Sequence, residues 1–391
     1  MSLVPQTVEL SEDESVLLEA VRQYARNELL PLDRKCDKDE SSILEVLPKL
    51  GEMGFLNLCI PESLGGLGCS YRFYAAIVHE IAYASPSTAV SVSVHTLTGN
   101  ILLQNAREPL RSNLLSEWGD PKNFSAFALT EADAGSDAAA AKAAAVLVDG
   151  GFRLDGEKMW ITNGLTGRWL LTLVRLPGFE GNDGLCTLLV DAQADGVECS
   201  EIHGKMGIRG SETAVVHFTN VFVPADHLIG EQGNGLRVML SGLSGGRIGI
   251  AAQSTGIAEA CLDEMVAYAR QREQFRQPIG RFQALQAMIA DTKVELEAAK
   301  LLTWRAAAKV DAQMTDSAAS AKAKLYASEC ANRAAYRAVQ IHGASGYVNE
   351  CRVEQLSRDA RVTTIYEGTS EIQRVIIAND LAEAGVASSA A

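Results

Sequence analysis

The 391-residue chain has no run of apolar residues approaching about 18, the length a helix needs to cross a bilayer. It is also short of positive charge: 35 Lys and Arg stand against 49 Asp and Glu, for a net charge of −14. That deficit argues against the broad cationic surfaces that bind nucleic acid or anionic membranes. It leaves a few cations to gather where a phosphorylated ligand sits. Eight cysteines are present (Cys36, Cys59, Cys69, Cys186, Cys199, Cys261, Cys330 and Cys351), but no two are spaced as C-x-x-C. The metal and redox motifs built on that spacing are therefore missing. The first fifteen residues contain neither an apolar leader segment nor an Arg-rich presequence. The expectation is a cytoplasmic protein with reduced, mostly buried thiols, no membrane span and no nucleic-acid partner.

Three compositional regimes divide the chain. Residues 1–122 read as a helical domain. Ser11 and Glu14 form a capping box, and Val16, Leu17, Ala20, Val21, Tyr24 and Ala25 follow as one buried helical face. Residues 123–232 read as a β domain, a small barrel or sandwich. The turn Asp149-Gly150-Gly151 precedes a strand over Phe152–Thr162, and short runs rich in β-branched and aromatic residues lie at Trp169–Val174, Cys186–Val190 and Val215–Val223, the last closed by Pro224. Residues 233–391 read as helical again, with Ile257, Ala260, Cys261, Met265 and Tyr268 on one buried face. Gly242, Gly245, Gly246, Gly249 and Gly256 are unusual there, since each costs a helix about 1 kcal/mol against Ala. Such a cluster marks either a close approach by another backbone or a ligand, or a frayed helix start.

Two segments carry chemistry. The first, Ile365-Tyr366-Glu367-Gly368-Thr369-Ser370-Glu371-Ile372-Gln373-Arg374, places a carboxylate just before a capped helix start. Thr369 or Ser370 can cap that helix, and Ser370 with Gln373 has capping-box spacing. An apolar setting raises a carboxyl pKa and the helix dipole lowers it, which yields a base of tunable strength. A surface Glu in a capped turn fits the same residues. The second segment, Ala128 to Asp137, carries Glu131, Asp133 and Asp137 with the hydroxyls of Thr130 and Ser136. It reads either as a metal loop or, more simply, as a loop of small residues that hydrogen-bonds a flat heterocycle. It lacks the later bidentate Glu of an EF-hand, and no metal is assigned.

These two segments resemble the acyl-CoA dehydrogenase family. So do Met159-Trp160-Ile161-Thr162-Asn163-Gly164, Lys205-Met-Gly-Ile-Arg209-Gly-Ser211, Arg272-Glu-Gln-Phe275, Phe282-Gln283 and Gln340-Ile-His-Gly343-Ala-Ser-Gly346-Tyr347, in the family's order over nearly the whole chain. The likeness is greatest to short-chain and related bacterial branches, through Lys300–Ala306 and Arg358–Arg361. The resemblance implies a mainly α fold with a central β domain, ending in a four-helix bundle. It implies FAD-dependent α,β-dehydrogenation of an acyl-CoA, with electrons passed to an electron-transferring flavoprotein, in a homotetramer built as a dimer of dimers.

By the same resemblance, Glu367 matches the base that removes the α-proton. Its backbone N–H would help hold the thioester oxygen. Leu129, Thr130, Trp160 and Thr162 match positions lining the flavin ring. Arg272, Phe275, Gln283, Gln340 and Gly343 match positions that bind FAD from the neighbouring subunit, and Thr369 and Glu371 match FAD contacts at the last helix. Ser136, Ser244, Arg247, Tyr366 and Gly368 match substrate-side positions. Other readings stand beside these. Trp160 fits a core position, Arg272 a solvated helix residue, Lys205 and Arg209 a β turn rather than a phosphate site, and His342 a packing role. Ala344 departs from the family's second glycine after Gly343. Gly246 stands where some branches carry the base, which leaves Glu367 as the candidate. An acyl group on a carrier protein, and a catalytically silent scaffold of the same fold, are the alternative functions.

Overall fold

The Ser11 side chain accepts from the Glu14 backbone N–H at 3.2 Å, and the Glu14 carboxylate accepts from the Ser11 N–H at 3.0 Å. This reciprocal cap starts helix α1 (Glu12–Tyr24) in the computed structural model, which describes residues 10–179, 181–314 and 316–389. Residues 1–9, on which much of the leader reading falls, lie outside the described residues. A π turn (Ala25–Leu29) carries α1 into α2 (Leu30–Asp39), followed by α3 (Leu47–Glu52), α4 (Tyr71–Ala84), α5 (Pro86–Asn105) and α6 (Leu110–Leu115). The buried face of α1 is Leu18, Val21 and Tyr24, continued by Ala25. The expected stripe is therefore turned: Val16 is 66% exposed, and Ala20 is exposed too. Contact with α4 sets this rotation, because Arg22 donates to the buried Glu80 carboxylate through Nε at 3.2 Å and Nη2 at 2.8 Å. Most of α5 is buried all round and has no polar stripe, as befits a helix enclosed on every side.

The central region holds β1 (Ser125–Ala128), β2 (Ala144–Val148), β3 (Gly151–Thr162), β4 (Trp169–Arg175), β5 (Leu185–Asp191), β6 (Val197–Glu201), β7 (Thr213–Pro224) and β8 (Leu228–Ile229). They join in one sheet of order β6-β7-β3-β2-β4-β5-β8, with β1 parallel to β4. Val216 and Phe218 of β7 share a core with Leu188 and Val190 of β5, so the sheet curls until its distant strands face one another. The outer faces of β4 and β5 pack Leu171, Leu173, Leu185 and Leu189 against Leu97, Ile101 and Leu102 of α5. The β3–β7 register shifts between Leu154 and Gly156 and again between Lys158 and Ile161. The second shift re-aims the end of β3.

The chain then forms α7 (Gly235–Ser241), α8 (Leu243–Gln271), a short hairpin of β9 (Glu273–Gln274) and β10 (Gln277–Pro278), α9 (Gln283–Asp311), α10 (Ser317–His342), α11 (Arg352–Val362) and α12 (Ser370–Ser389). α8 packs against α4, α5, α9 and α10, and α11 and α12 lie against α10. The glycine cluster marks close approach rather than fraying. Gly242 joins α7 to α8, and the other four lie inside α8. A Cβ at Gly256 would stand 2.5 Å from the His79 carbonyl oxygen, so α4 and α8 cross closer than a side chain permits. Among the described residues, no helix is long and apolar enough to cross a membrane.

Candidate active site

Glu367 lies in the connection between α11 and α12. Its backbone is left-handed (φ 54°), and so is that of Gly368 (φ 88°). For a non-glycine residue this costs on the order of 1 kcal/mol, and surrounding contacts must hold it. Three side chains do so. Gln373 Nε2 donates to the Glu367 carbonyl at 3.2 Å and to the Gly368 carbonyl at 2.9 Å, and Lys324 Nζ donates to the same Gly368 carbonyl at 2.7 Å. Tyr366 anchors the other side by donating its hydroxyl to Gln253 Oε1 on α8. These bonds correct the expected cap. Thr369 caps α12 by accepting from the Ile372 N–H at 3.3 Å, while Ser370 donates to Glu329 at 2.9 Å and Gln373 serves the turn. The Ser370–Gln373 box does not form, because the Gln373 amide reaches the carbonyls of residues 367 and 368 instead.

The turn aims the Glu367 carboxyl at α8. Oε2 is fully buried and accepts no hydrogen bond from the described residues. It lies against Gly246, where a Cβ would be only 2.8 Å away. Burial pushes the Glu367 pKa up, and the cations of Arg247 and Lys324 oppose that rise. Both cations are themselves desolvated. Arg247 is buried, its Nε has no partner among the described residues, and its pKa is lowered by burial. Lys324 is fully buried, and its pKa is pushed down to about 8 by burial. A carboxyl with one buried, unpartnered oxygen, acted on by two desolvated cations, is a poor structural element and a good proton acceptor.

A second group of residues gathers at the loop after β1. The Thr130 carbonyl accepts from the Met159 N–H at 2.9 Å, and the Leu129 carbonyl accepts from Lys158 Nζ at 3.2 Å. Lys158, fully buried, also pairs with Glu131 at 2.7 Å, and Glu131 accepts from the N–H groups of Lys142 and Ala143. This accounts for Glu131, while Asp133 pairs with Lys142 in solvent, so the carboxylates of this loop do not converge. Trp160 stands at the register shift of β3 with a left-handed backbone (φ 61°). It is 55% exposed, which overturns the core reading. Thr162 is half-buried beside it, and Ser136 is exposed on the loop. Ser244 is half-buried in the first turn of α8. Thr369 and Glu371 line a cavity of about 300 Å³ with Glu329, Asn332, Arg361 and Ile365.

Arg272, Phe275, Gln283, Gln340 and Gly343 form a separate, exposed group. Phe275 is 87% exposed and left-handed (φ 52°), touching Phe282 edge-on at 5.9 Å. Tyr268 of α8 stacks on His342 of α10 at 4.2 Å, so the hairpin and the Gln340–Gly343 corner share one end of the bundle. The helix rise puts Arg272 roughly 38 Å along α8 from Arg247. One chain therefore does not bring this group to Glu367. His342 packs as expected, with Nδ1 2.8 Å from the Ala338 carbonyl. Lys205 Nζ donates to the Ser211 carbonyl, and Arg209 Nε donates to the Lys205 carbonyl at 3.0 Å. Both bonds belong to the turn reading.

Sequence reasoning missed Lys324, Gln253 and the Lys158–Glu131 pair. For Lys324 a signal existed: a lysine among Ala321, Ala327 and Ala331 on one helical face occupies a core position.

Three family models match the chain in order: acyl-CoA dehydrogenase N-terminal domain over residues 11–119, middle domain over 126–221 and C-terminal domain over 233–382. The chain is 38% identical over 379 residues to the mitochondrial short-chain specific acyl-CoA dehydrogenase of Rattus norvegicus, covering 97% of this chain and 92% of that one. Its fold is similar to that of butyryl-CoA dehydrogenase from Megasphaera elsdenii, with a TM-score of 0.93, 32% identity, and coverage of 96% of this chain and 100% of that one. It is also similar to the prolyl acyl carrier protein oxidase AnaB, with a TM-score of 0.91, 28% identity, and coverage of 95% and 100%.

Proposed function

The chain belongs to the acyl-CoA dehydrogenase family, and from that premise we propose that it oxidises a short or branched acyl-CoA to the 2-enoyl-CoA with Glu367 as the base. The observation that carries this reading is the buried, unpartnered Glu367 Oε2 set against Gly246. In the thioester complex the Glu367 carboxylate takes the α-proton. Burial gives it the basicity for this, while Arg247 and Lys324 keep enough of it ionised. The Glu367 N–H, in the left-handed turn, would donate to the thioester oxygen and stabilise the charge that develops there. Ser136, Ser244, Tyr366 and Gly368 complete the substrate side.

FAD is the cofactor of the family, and when bound it accepts the β-hydrogen as hydride. The residues fit such a group: Trp160 turns a large, half-exposed ring outward at the end of β3, a surface that a flat heterocycle covers. Leu129, Thr130, Trp160, Thr162, Thr369 and Glu371 would hold it in the same subunit. Arg272, Phe275, Gln283, Gln340 and Gly343 would hold the FAD of the neighbouring subunit, and their separation from Glu367 along the bundle supports that assignment. It also supports the homotetrameric dimer of dimers, as do Val294, Leu301 and Tyr336, which are apolar and exposed on α9 and α10.

The likeness to a short-chain specific acyl-CoA dehydrogenase supports a short acyl group, and the start of α8 is closely packed. A Cβ at Gly245 would lie 2.6 Å from the Tyr71 hydroxyl, which accepts from Asn100 at 2.6 Å, and one at Gly242 would meet Ile101 at 2.5 Å. An electron-transferring flavoprotein is the proposed acceptor. All eight cysteines are free, which supports the reducing cytoplasm as the location. The division at residues 122 and 232 goes with this reading.

The test is Glu367→Gln. The variant should stay yellow, yet lose anaerobic flavin bleaching by butyryl-CoA by at least about a thousandfold, since the proton no longer has an acceptor. Retained bleaching removes Glu367 as the base. A second reading keeps the chemistry and changes the carrier, and the likeness to the prolyl carrier-protein oxidase favours it. Comparing one acyl group on CoA and on carrier protein separates the two. A silent scaffold would have no use for an orphaned buried carboxyl.

A further inference from the structure

We propose that Lys324 is a positioning residue for Glu367: its buried ammonium holds the Glu367–Gly368 turn by the Gly368 carbonyl and balances the charge of the carboxylate. The proposal rests on the reading of Glu367 as the base. Lys324 comes from the middle of α10, has no exposed surface, and donates to the carbonyl of the residue that follows the base. A buried lysine is costly, and a neutral donor such as Gln373 already serves the same carbonyl at 2.9 Å. A second donor is redundant for the turn alone, so the charge is what Lys324 adds.

The charges around the carboxyl are few. Arg247 faces it from α8 and Lys324 from α10. Tyr74 of α4 and the adjacent Tyr366 sense it but stay neutral, with hydroxyls pushed up by burial. Glu329 and Glu371 act on Lys324 and help keep it protonated. Among the described residues Arg247 Nε has no partner, whereas Lys324 Nζ holds the Gly368 carbonyl, so Lys324 couples backbone position to charge.

The sign follows from this arrangement. Removing a cation beside a buried carboxylate disfavours its ionised form, so the Glu367 pKa rises. The acid limb of the pH profile then moves to higher pH. A residue that only supported the turn would lower the rate or the melting temperature without moving that limb.

The experiment uses the FAD-loaded protein with butyryl-CoA. It follows exchange of the α-hydrogen with D2O by NMR, and anaerobic flavin bleaching, both across pH. Lys324→Met should slow both on the order of tenfold near neutrality and move the acid limb up by on the order of one pH unit. Lys324→Arg, which keeps the charge, should leave the limb in place. An unmoved limb in Lys324→Met protein that binds FAD and melts as the parent does overturns the proposal. If Lys324→Met does not fold, Lys324→Gln takes its place, retaining a donor but no charge. The same shift then supports the proposal, and its absence overturns it. Glu367→Gln separates the two ideas. Exchange that survives there defeats the base reading, whereas exchange lost there with an unmoved limb in the Lys324 variants defeats only the role of Lys324.

Discussion

Gly246 and Glu367 share one volume. The glycine lacks the methyl that would meet Oε2 at 2.8 Å, and the carboxyl occupies the room so left. This pairing separates stability from activity. Alanine inside a helix is favoured over glycine by about 1 kcal/mol, so Gly246→Ala should leave the melting temperature level or slightly higher. The displaced carboxyl should cost turnover on the order of tenfold or more, because a proton acceptor works only within hydrogen-bond reach. Melting and butyryl-CoA turnover on the same preparation check this, and an unimpaired rate would place the carboxyl elsewhere. Glu367 is legible in the sequence only through its company. Its turn and capped helix are visible, but the burial that makes it a base comes from α8, far away in the chain. Lys324 is less legible still, because its partner is a carbonyl 44 residues on. No local pattern records such a contact.

Between elements, one buried polar cluster joins α4, α8 and α9. Glu259 of α8 is 2.7 Å from His79 Nε2 and 2.7 Å from Lys300 Nζ, and all three are buried. Burial disfavours the Glu259 charge, but His79 and Lys300 outweigh it and hold the pKa well below the ordinary range. A depressed folded-state pKa contributes stability above the unfolded carboxylate pKa, and that stability is lost as pH falls through the folded value. Glu259→Leu removes the anion that both groups face, and should cost about 3–5 kcal/mol at neutral pH by denaturant unfolding. A loss under 1 kcal/mol would mean that the neighbours find other partners. The helices and strands themselves are largely legible from periodicity and turns. The Ser11–Glu14 box starts α1, the Gly150–Gly151 turn starts β3, and Pro224 ends β7. What fails is rotation and detail. Val16 turns outward because α4 takes the opposite edge of α1, and Trp160 leaves the core because a register shift, invisible in composition, twists the end of β3.

At the scale of the molecule, the three regions meet around buried acids. Asp359 of α11 accepts from the Ile208 N–H at 2.5 Å, tying the last helices to the loop between β6 and β7. Nearby, Asp33 of α2 accepts from Ser85 and from Gln355 of α11, both at 2.7 Å. Burial pushes both carboxyls up, Asp359 to about 8 and Asp33 to about 6, with like charges on Asp33 and Asp37 adding to the rise at Asp359. The second oxygen of Asp359 is buried and accepts nothing, which suits a protonated carboxyl. The folded state therefore binds a proton that the unfolded chain releases near the ordinary carboxylate pKa. Its contribution to stability is full below that unfolded value and is lost as pH rises through about 8. The direction is opposite to that of Glu259, so the two act at opposite ends of the pH range. The melting temperature should fall between about pH 5 and pH 8 at fixed ionic strength and level off above that. Asp359→Asn keeps an acceptor for Ile208 but cannot ionise, and should flatten that fall. A parent protein whose melting temperature does not change over this range would show Asp359 to be charged already at neutrality, held by Arg358 rather than by a proton.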